Sequence, residues 1–169
     1  MGCATDVKRG GKVRRIAIFM ILIVFLAAAT QAGDKKPVKP AKSDKCPVCG
    51  MFVAKYPDFL AQIIFKDGTY AVFDGAKDMF KFYLNPAKFT PGRKASDIDA
   101  VYVTDYYSLK PIDGPSALYV VGSDVFGPMG RELIPFEKMS DAEEFKKDHK
   151  GTSVLKFRDI TPIVLKGLD

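Results

Sequence analysis

The stretch Leu60-Ala61-Gln62-Ile63-Ile64-Phe65-Lys66-Asp67-Gly68-Thr69-Tyr70-Ala71-Val72-Phe73-Asp74-Gly75 decides the fold class. Residues 60–65 are rich in apolar and β-branched side chains. Asp67-Gly68 is a tight-turn dipeptide and residues 69–73 form the return, so the segment predicts a β-hairpin. Asp74 or Gly75 then starts a helix carrying Met79, Phe80, Phe82, Tyr83 and Leu84. Asn85-Pro86 ends it, because proline turns the residue before it away from the helical region. Residues 87–97 read as a loop and residues 98–103 as a third strand.

Further along the chain the same order returns. Residues 117–121 and 132–136 read as a second strand pair, with Pro135 either weakening the latter as a strand or placing it at a sheet edge. Ser140-Asp141-Ala142-Glu143 has the pattern of a capping box and predicts a helix start. That helix runs to about His149, where Lys150-Gly151 stops it, and residues 154–157 make the closing strand. Phe73, Asp78 and Phe82 share their spacing with Phe136, Asp141 and Phe145. The sequence is therefore read as two small ββαβ units in a duplicated arrangement, residues 46–110 and 111–169, of the α+β class.

On the N-terminal side, residues 16–29 are an uninterrupted apolar run preceded by Lys8, Arg9, Lys12, Arg14 and Arg15 and followed by small residues. This is the make-up of a secretory signal peptide over residues 1–32, with cleavage expected after Ala32. The run falls short of the roughly 20 apolar residues of a membrane span; an uncleaved leader would nevertheless tie the chain to the membrane. Cys3 lies before the run, not directly after it where a lipoprotein carries its acylated cysteine. Residues 33–45 are Lys- and Pro-rich without apolar pattern and read as a flexible tether.

The formal charge of +6 suggests nucleic acid until it is divided. Residues 1–45 hold ten Lys/Arg against three Asp/Glu, and residues 46–169 hold sixteen against seventeen. A near-neutral body without a basic stripe is a poor phosphate binder, so no nucleic-acid partner is expected. There is no Ser–His–Asp order, no glycine-rich phosphate loop and no general-acid pair, and the carboxylates read as scattered through turns and helix surfaces. No enzymatic activity is expected.

The chemistry concentrates in Cys46-Pro47-Val48-Cys49-Gly50-Met51. Two thiols and a thioether within six residues are soft donors, which select Cu(I) over hard cations. Gly50 allows the backbone to turn Met51 toward the same centre as Cys49. Other readings stay open. An exported protein permits a plain disulfide that staples the loop. A thiol–disulfide oxidoreductase could use the same pair, although such pairs normally follow a strand and open a helix. A structural zinc site wants four Cys/His ligands, and the folded region offers two Cys and one His. Gly127-Pro128-Met129-Gly130 is a second candidate, because Met129 sits in a Gly/Pro turn with no periodicity to bury it. Met79 reads as core, His149 as a residue near a helix end, and Tyr102, Tyr106 and Tyr107 as sheet packing.

CPVCGM, together with Tyr70-Ala71-Val72-Phe73-Asp74, Val101-Tyr102-Val103-Thr104-Asp105-Tyr106, Gly127-Pro128-Met129-Gly130 and Leu133-Ile134-Pro135-Phe136, resembles the NosL family over roughly residues 44–160. That family comprises copper-binding accessory proteins of nitrous oxide reductase assembly. The resemblance implies two ββαβ halves and Cu(I) binding in the periplasm. It also implies handover to a copper enzyme or an ABC-type membrane transporter complex. Cys49 and Met51 match the family's C-G-M element, Cys46 its preceding cysteine, and Met129 its P-M-G element. Many members are lipoproteins; this sequence departs from them in having no cysteine directly after the apolar run.

Overall fold

The computed structural model describes residues 1–2 and 36–169; the rest of the expected signal peptide and the first residues of the tether lie outside the described residues. The compact unit comprises Lys35–Asp169. Its first sheet begins with β1 (Ala61–Phe65) and β2 (Tyr70–Phe73), joined by the Asp67-Gly68 turn, with Ala61 opposite Phe73. Gly68 has φ +85°, the left-handed conformation that makes a glycine useful in a tight turn. Helix α1 (Ala76–Leu84) follows, with Gly75 as its N-cap, and packs on both strands. Asn85 ends it, but Pro86 then opens the short helix α2 (Pro86–Phe89) inside the segment expected to be a loop. Proline is well placed there, since the first turn of a helix needs no donor from it. β3 (Ile98–Thr104) and β4 (Pro111–Asp113) complete an antiparallel sheet of order β2-β1-β3-β4.

The second sheet has β5 (Leu118–Val121) at its centre, followed in the chain by the two-residue strands β6 (Phe126–Gly127) and β7 (Gly130–Arg131), which form a separate hairpin. β8 (Ile134–Phe136), helix α3 (Met139–Asp148) and β9 (Ser153–Lys156) come next, and the order is β8-β5-β9. β8 is an edge strand with Pro135 opposite Tyr119, the position where a missing N–H does least harm. Helix α4 (Pro162–Lys166), unforeseen in the sequence, closes the chain and buries Leu165.

The fold is α+β, with a β-β-α-β order around each of the two larger sheets. Four expectations are corrected. The capping box does not form: α3 starts at Met139, Lys138 makes no side-chain cap, Ser140 bonds to Asp141 and Glu143 pairs with Lys146. Glu132 lies outside β8. β4 lies beyond the expected boundary at residue 110 yet pairs with β3 of the first sheet. Residues 36–45 are not a free tether, because Val38 packs on the core and its N–H donates to Gln62 Oε1 at 2.8 Å.

The main core lies between α1 and the first sheet, where Phe82 meets Phe73 at 5.4 Å and Phe65 at 6.2 Å between ring centroids. Met79 is fully buried there, as core filler. A smaller cluster joins Val120, Ile134, Phe136, Ala142 and Phe145 beneath α3. Phe80 on α1 meets Tyr119 on β5 edge-on at 5.1 Å, so the two halves share an aromatic seam. Among the described residues no helix is long and apolar enough to cross a membrane.

Candidate metal centre

The loop bearing the thiols is closed by its own backbone. The Cys46 N–H donates to the Met51 carbonyl at 2.9 Å, the Gly50 N–H to the Cys46 carbonyl at 2.8 Å, and Lys45 bridges to Phe52. Gly50 adopts φ +78°, so the turn that folds Cys49 back over Cys46 requires a residue at ease in the left-handed region. Cys46 is buried in the core, whereas Cys49 is half-buried at its edge. Both are free thiols.

Beneath this loop lie two carboxylates that sequence reasoning had dispersed over the surface. Asp74 directly follows β2 and Asp78 lies in the first turn of α1. Asp74 lies just before the N-cap Gly75 and Asp78 just after the helix begins, and both carboxylates meet the thiol loop. They are 1% and 3% exposed. Cys49 Sγ lies 3.1 Å from Asp74 Oδ1 and Cys46 Sγ lies 3.5 Å from Asp78 Oδ2. One ligand atom from each of Cys46, Cys49, Asp74 and Asp78 falls within 4.8 Å of every other. Asp74 Oδ2 is buried without a hydrogen-bond partner among the described residues. A buried acceptor left without a donor is costly and marks a place where a cation would be welcome.

The electrostatics match this crowding. Burial above all pushes the Cys46 thiol far above its usual range. Burial, with the Asp74 carboxylate alongside, pushes Cys49 up to about 12 against the opposing Met51 amide. Lys81 Nζ lies 3.9 Å from Asp78 Oδ1. Next to this cluster Glu132 is buried and holds the N-terminus of α1, its Oε1 accepting from the amides of Lys77 at 2.5 Å and Leu133 at 2.9 Å. Burial raises it to about 7.

Of the four expected ligands, Cys46 and Cys49 are brought together. Met51 lies half-buried at the end of the same loop. Met129 is 43% exposed at the tip of the β6–β7 turn, and its carbonyl accepts from Lys77 Nζ at 2.9 Å. That contact ties the turn to α1, the helix that carries Asp78. His149 is occupied elsewhere: its Nδ1 lies 3.1 Å from Asp124 Oδ1 and its ring stacks on Phe145 at 4.4 Å. The one available signal for Asp74 and Asp78 was their four-residue spacing directly after an apolar strand; their burial had none.

The family model described as NosL matches residues 37–165. The chain is 31% identical over 170 residues to the copper-binding lipoprotein NosL of Stutzerimonas stutzeri, covering 91% of this chain and 85% of that relative. Among solved structures, it resembles the copper chaperone NosL from Shewanella denitrificans with a TM-score of 0.64 and 28% identity. That likeness covers 76% of this chain and 98% of the other.

Proposed function

This chain belongs to the NosL family, and from that premise we propose that it is a copper metallochaperone that carries Cu(I) in the periplasm. The reading rests on one observation: the two thiols of the Cys46–Cys49 loop face a common point, one at the core and one at the rim. Thiolates select the cuprous ion, and the half-buried Cys49 gives an incoming donor a ligand to displace. Met51 and Met129 act as thioether ligands in this reading, the first from the same loop and the second from the turn that Lys77 holds. The recipient is a copper enzyme of the nitrous oxide reductase type or an ABC-type transporter complex. Residues 1–32 serve as the export signal. A relative that is a lipoprotein and another that is a copper chaperone fit both statements.

The electrostatic setting of the thiols favours metal carriage over a thiol–disulfide oxidoreductase. Redox-active cysteines depend on a depressed pKa in an electropositive setting. Here burial and neighbouring carboxylates push both thiols the other way. The test is an anaerobic Cu(I) titration against a competing chelator, on the chain from Gly33, which contains the compact unit from Lys35. About one Cu(I) should bind, in keeping with a single soft-ligand centre, and Cys46→Ser/Cys49→Ser should lose it. Unchanged affinity in that double variant refutes the assignment, and turnover in an insulin-reduction assay would favour the redox reading.

A further inference from the structure

With His149 engaged by Asp124, the two cysteines leave the centre two ligands short of a closed tetrahedral site, and Asp74 and Asp78 supply two. We infer that the centre has a second binding mode, in which Cys46, Cys49, Asp74 and Asp78 together hold a divalent, thiophilic ion of the zinc class. This deepens the metal-carrier reading, because it uses the same thiol pair.

Geometry supports it first. A tetrahedron with bonds of about 2.3 Å to sulfur and about 2.0 Å to oxygen has edges of about 3.3–3.8 Å. The Cys49–Asp74 and Cys46–Asp78 pairs already stand at 3.1 and 3.5 Å, and no pair of the four ligand atoms exceeds 4.8 Å. Side-chain rotations of about an ångström close such a site. The unpartnered Asp74 Oδ2 is the second, independent observation. Its carboxylate is 1% exposed, and its other oxygen already faces Cys49, so a cation between the two side chains gives the orphan oxygen a counter-charge.

Charge decides which ion uses all four ligands. Two thiolates and two carboxylates carry four negative charges. A cuprous ion offsets one of them whichever donors it takes, and it gains little from hard oxygen donors. A divalent ion leaves two, beside Lys81 at 3.9 Å from Asp78. On binding, the two thiol protons leave to solvent as the metal–sulfur bonds form, with no change of oxidation state. Cu(I) therefore takes the sulfur donors, and the divalent ion takes sulfur and carboxylate together.

The test uses Co(II) and Zn(II) as probes on the full-length chain, purified anaerobically in detergent. Co(II) should give the strong ligand-field bands of a tetrahedral site with sulfur-to-metal charge transfer, and Zn(II) should bleach them. X-ray absorption of the zinc form should give two sulfur and two oxygen neighbours. Asp74→Asn/Asp78→Asn should weaken Zn(II) at least about tenfold, or about 1.4 kcal/mol, while Cu(I) affinity stays within about threefold. A zinc shell of sulfur alone, or of oxygen and nitrogen alone, overturns the proposal, as does undiminished Zn(II) affinity in the asparagine variant. The absorption experiment needs no variant, so it decides the matter even where the substituted chain misfolds. A chain that binds Co(II) in this way but ignores Cu(I) would refute the copper reading and keep this one.

Discussion

Glu132 is 3% exposed, and its carboxylate faces two backbone amides. Burial raises it from 4.5 to about 7. The folded protein therefore holds this proton more tightly than the unfolded one. Its contribution to stability is complete below about 4.5, fades as the pH rises, and is lost above about 7. Glu132→Gln stays neutral and keeps a carbonyl acceptor for Lys77 and Leu133. The stability of the native chain relative to this variant should fall by on the order of a few kcal/mol between those limits. Urea unfolding at the two limits reads this, and parallel pH profiles would contradict it. Gly75 is the companion test. Its backbone is extended at φ −172°, which any residue tolerates, but a methyl there would strike the Glu132 carboxylate. Gly75→Ala should cost about 1–3 kcal/mol by overpacking. An unchanged Tm would mean that Glu132 can swing aside.

At the scale of elements, the strands and the two long helices were legible because each carries its own period and its own punctuation. Asp67-Gly68 announces the first hairpin, and the apolar face of α1 is written in Met79, Phe80 and Phe82. The short elements were not legible. α4 is five residues long and β6 and β7 two each, too brief for any period to repeat. The Ser140–Glu143 pattern failed because the helix begins at Met139, two residues before a Ser140 cap would start it, which puts Ser140 inside the first turn instead of at the cap. In the site, the thiols were legible from chemistry and spacing. Asp74 and Asp78 were not, since an acidic residue at a helix start is ordinarily a solvated one. Asp105 is a similar case at the joint between the sheets. Buried at the end of β3, it accepts from the amides of Ser108 at 2.7 Å and Glu137 at 2.8 Å, while the Tyr106 N–H donates to Pro135 at 3.0 Å. Asp105→Ala should destabilise by about 1–3 kcal/mol for each donor left without water. Calorimetry measures this, and a loss below about 0.5 kcal/mol would mean that solvent replaces the carboxylate.

Across the whole molecule, the segment before Cys46 links the expected leader to the metal loop, and its docking makes it part of the fold. Gln62 is 2% exposed in the middle of β1, an uncommon place for an amide, and its Oε1 is met by the Val38 N–H. Val38 itself packs against the core. Closer to the site, the Asp44 carbonyl accepts from Val53 at 3.1 Å, Asp44 Oδ2 accepts from the Tyr70 hydroxyl at 2.9 Å, and Lys45 bridges to Phe52. The Cys46–Met51 loop is thus clasped from its N-terminal side by residues whose composition suggested a free linker. A chain begun at Cys46 in place of Gly33 loses all of these contacts at once. It should be less stable by about 1–3 kcal/mol for the stranded Gln62 acceptor alone. It should also bind Cu(I) more weakly, because a loop that must be ordered on binding lowers the apparent affinity. A chain begun at Lys36 keeps the contacts of Val38, Asp44 and Lys45 and should match the Gly33 chain in both respects. Equal copper affinity and equal Tm in the Cys46 and Gly33 chains would show that residues 36–45 merely rest on the surface. A deficit confined to the Cys46 chain would show that the link between the expected leader and the metal loop is itself a structural support of the site.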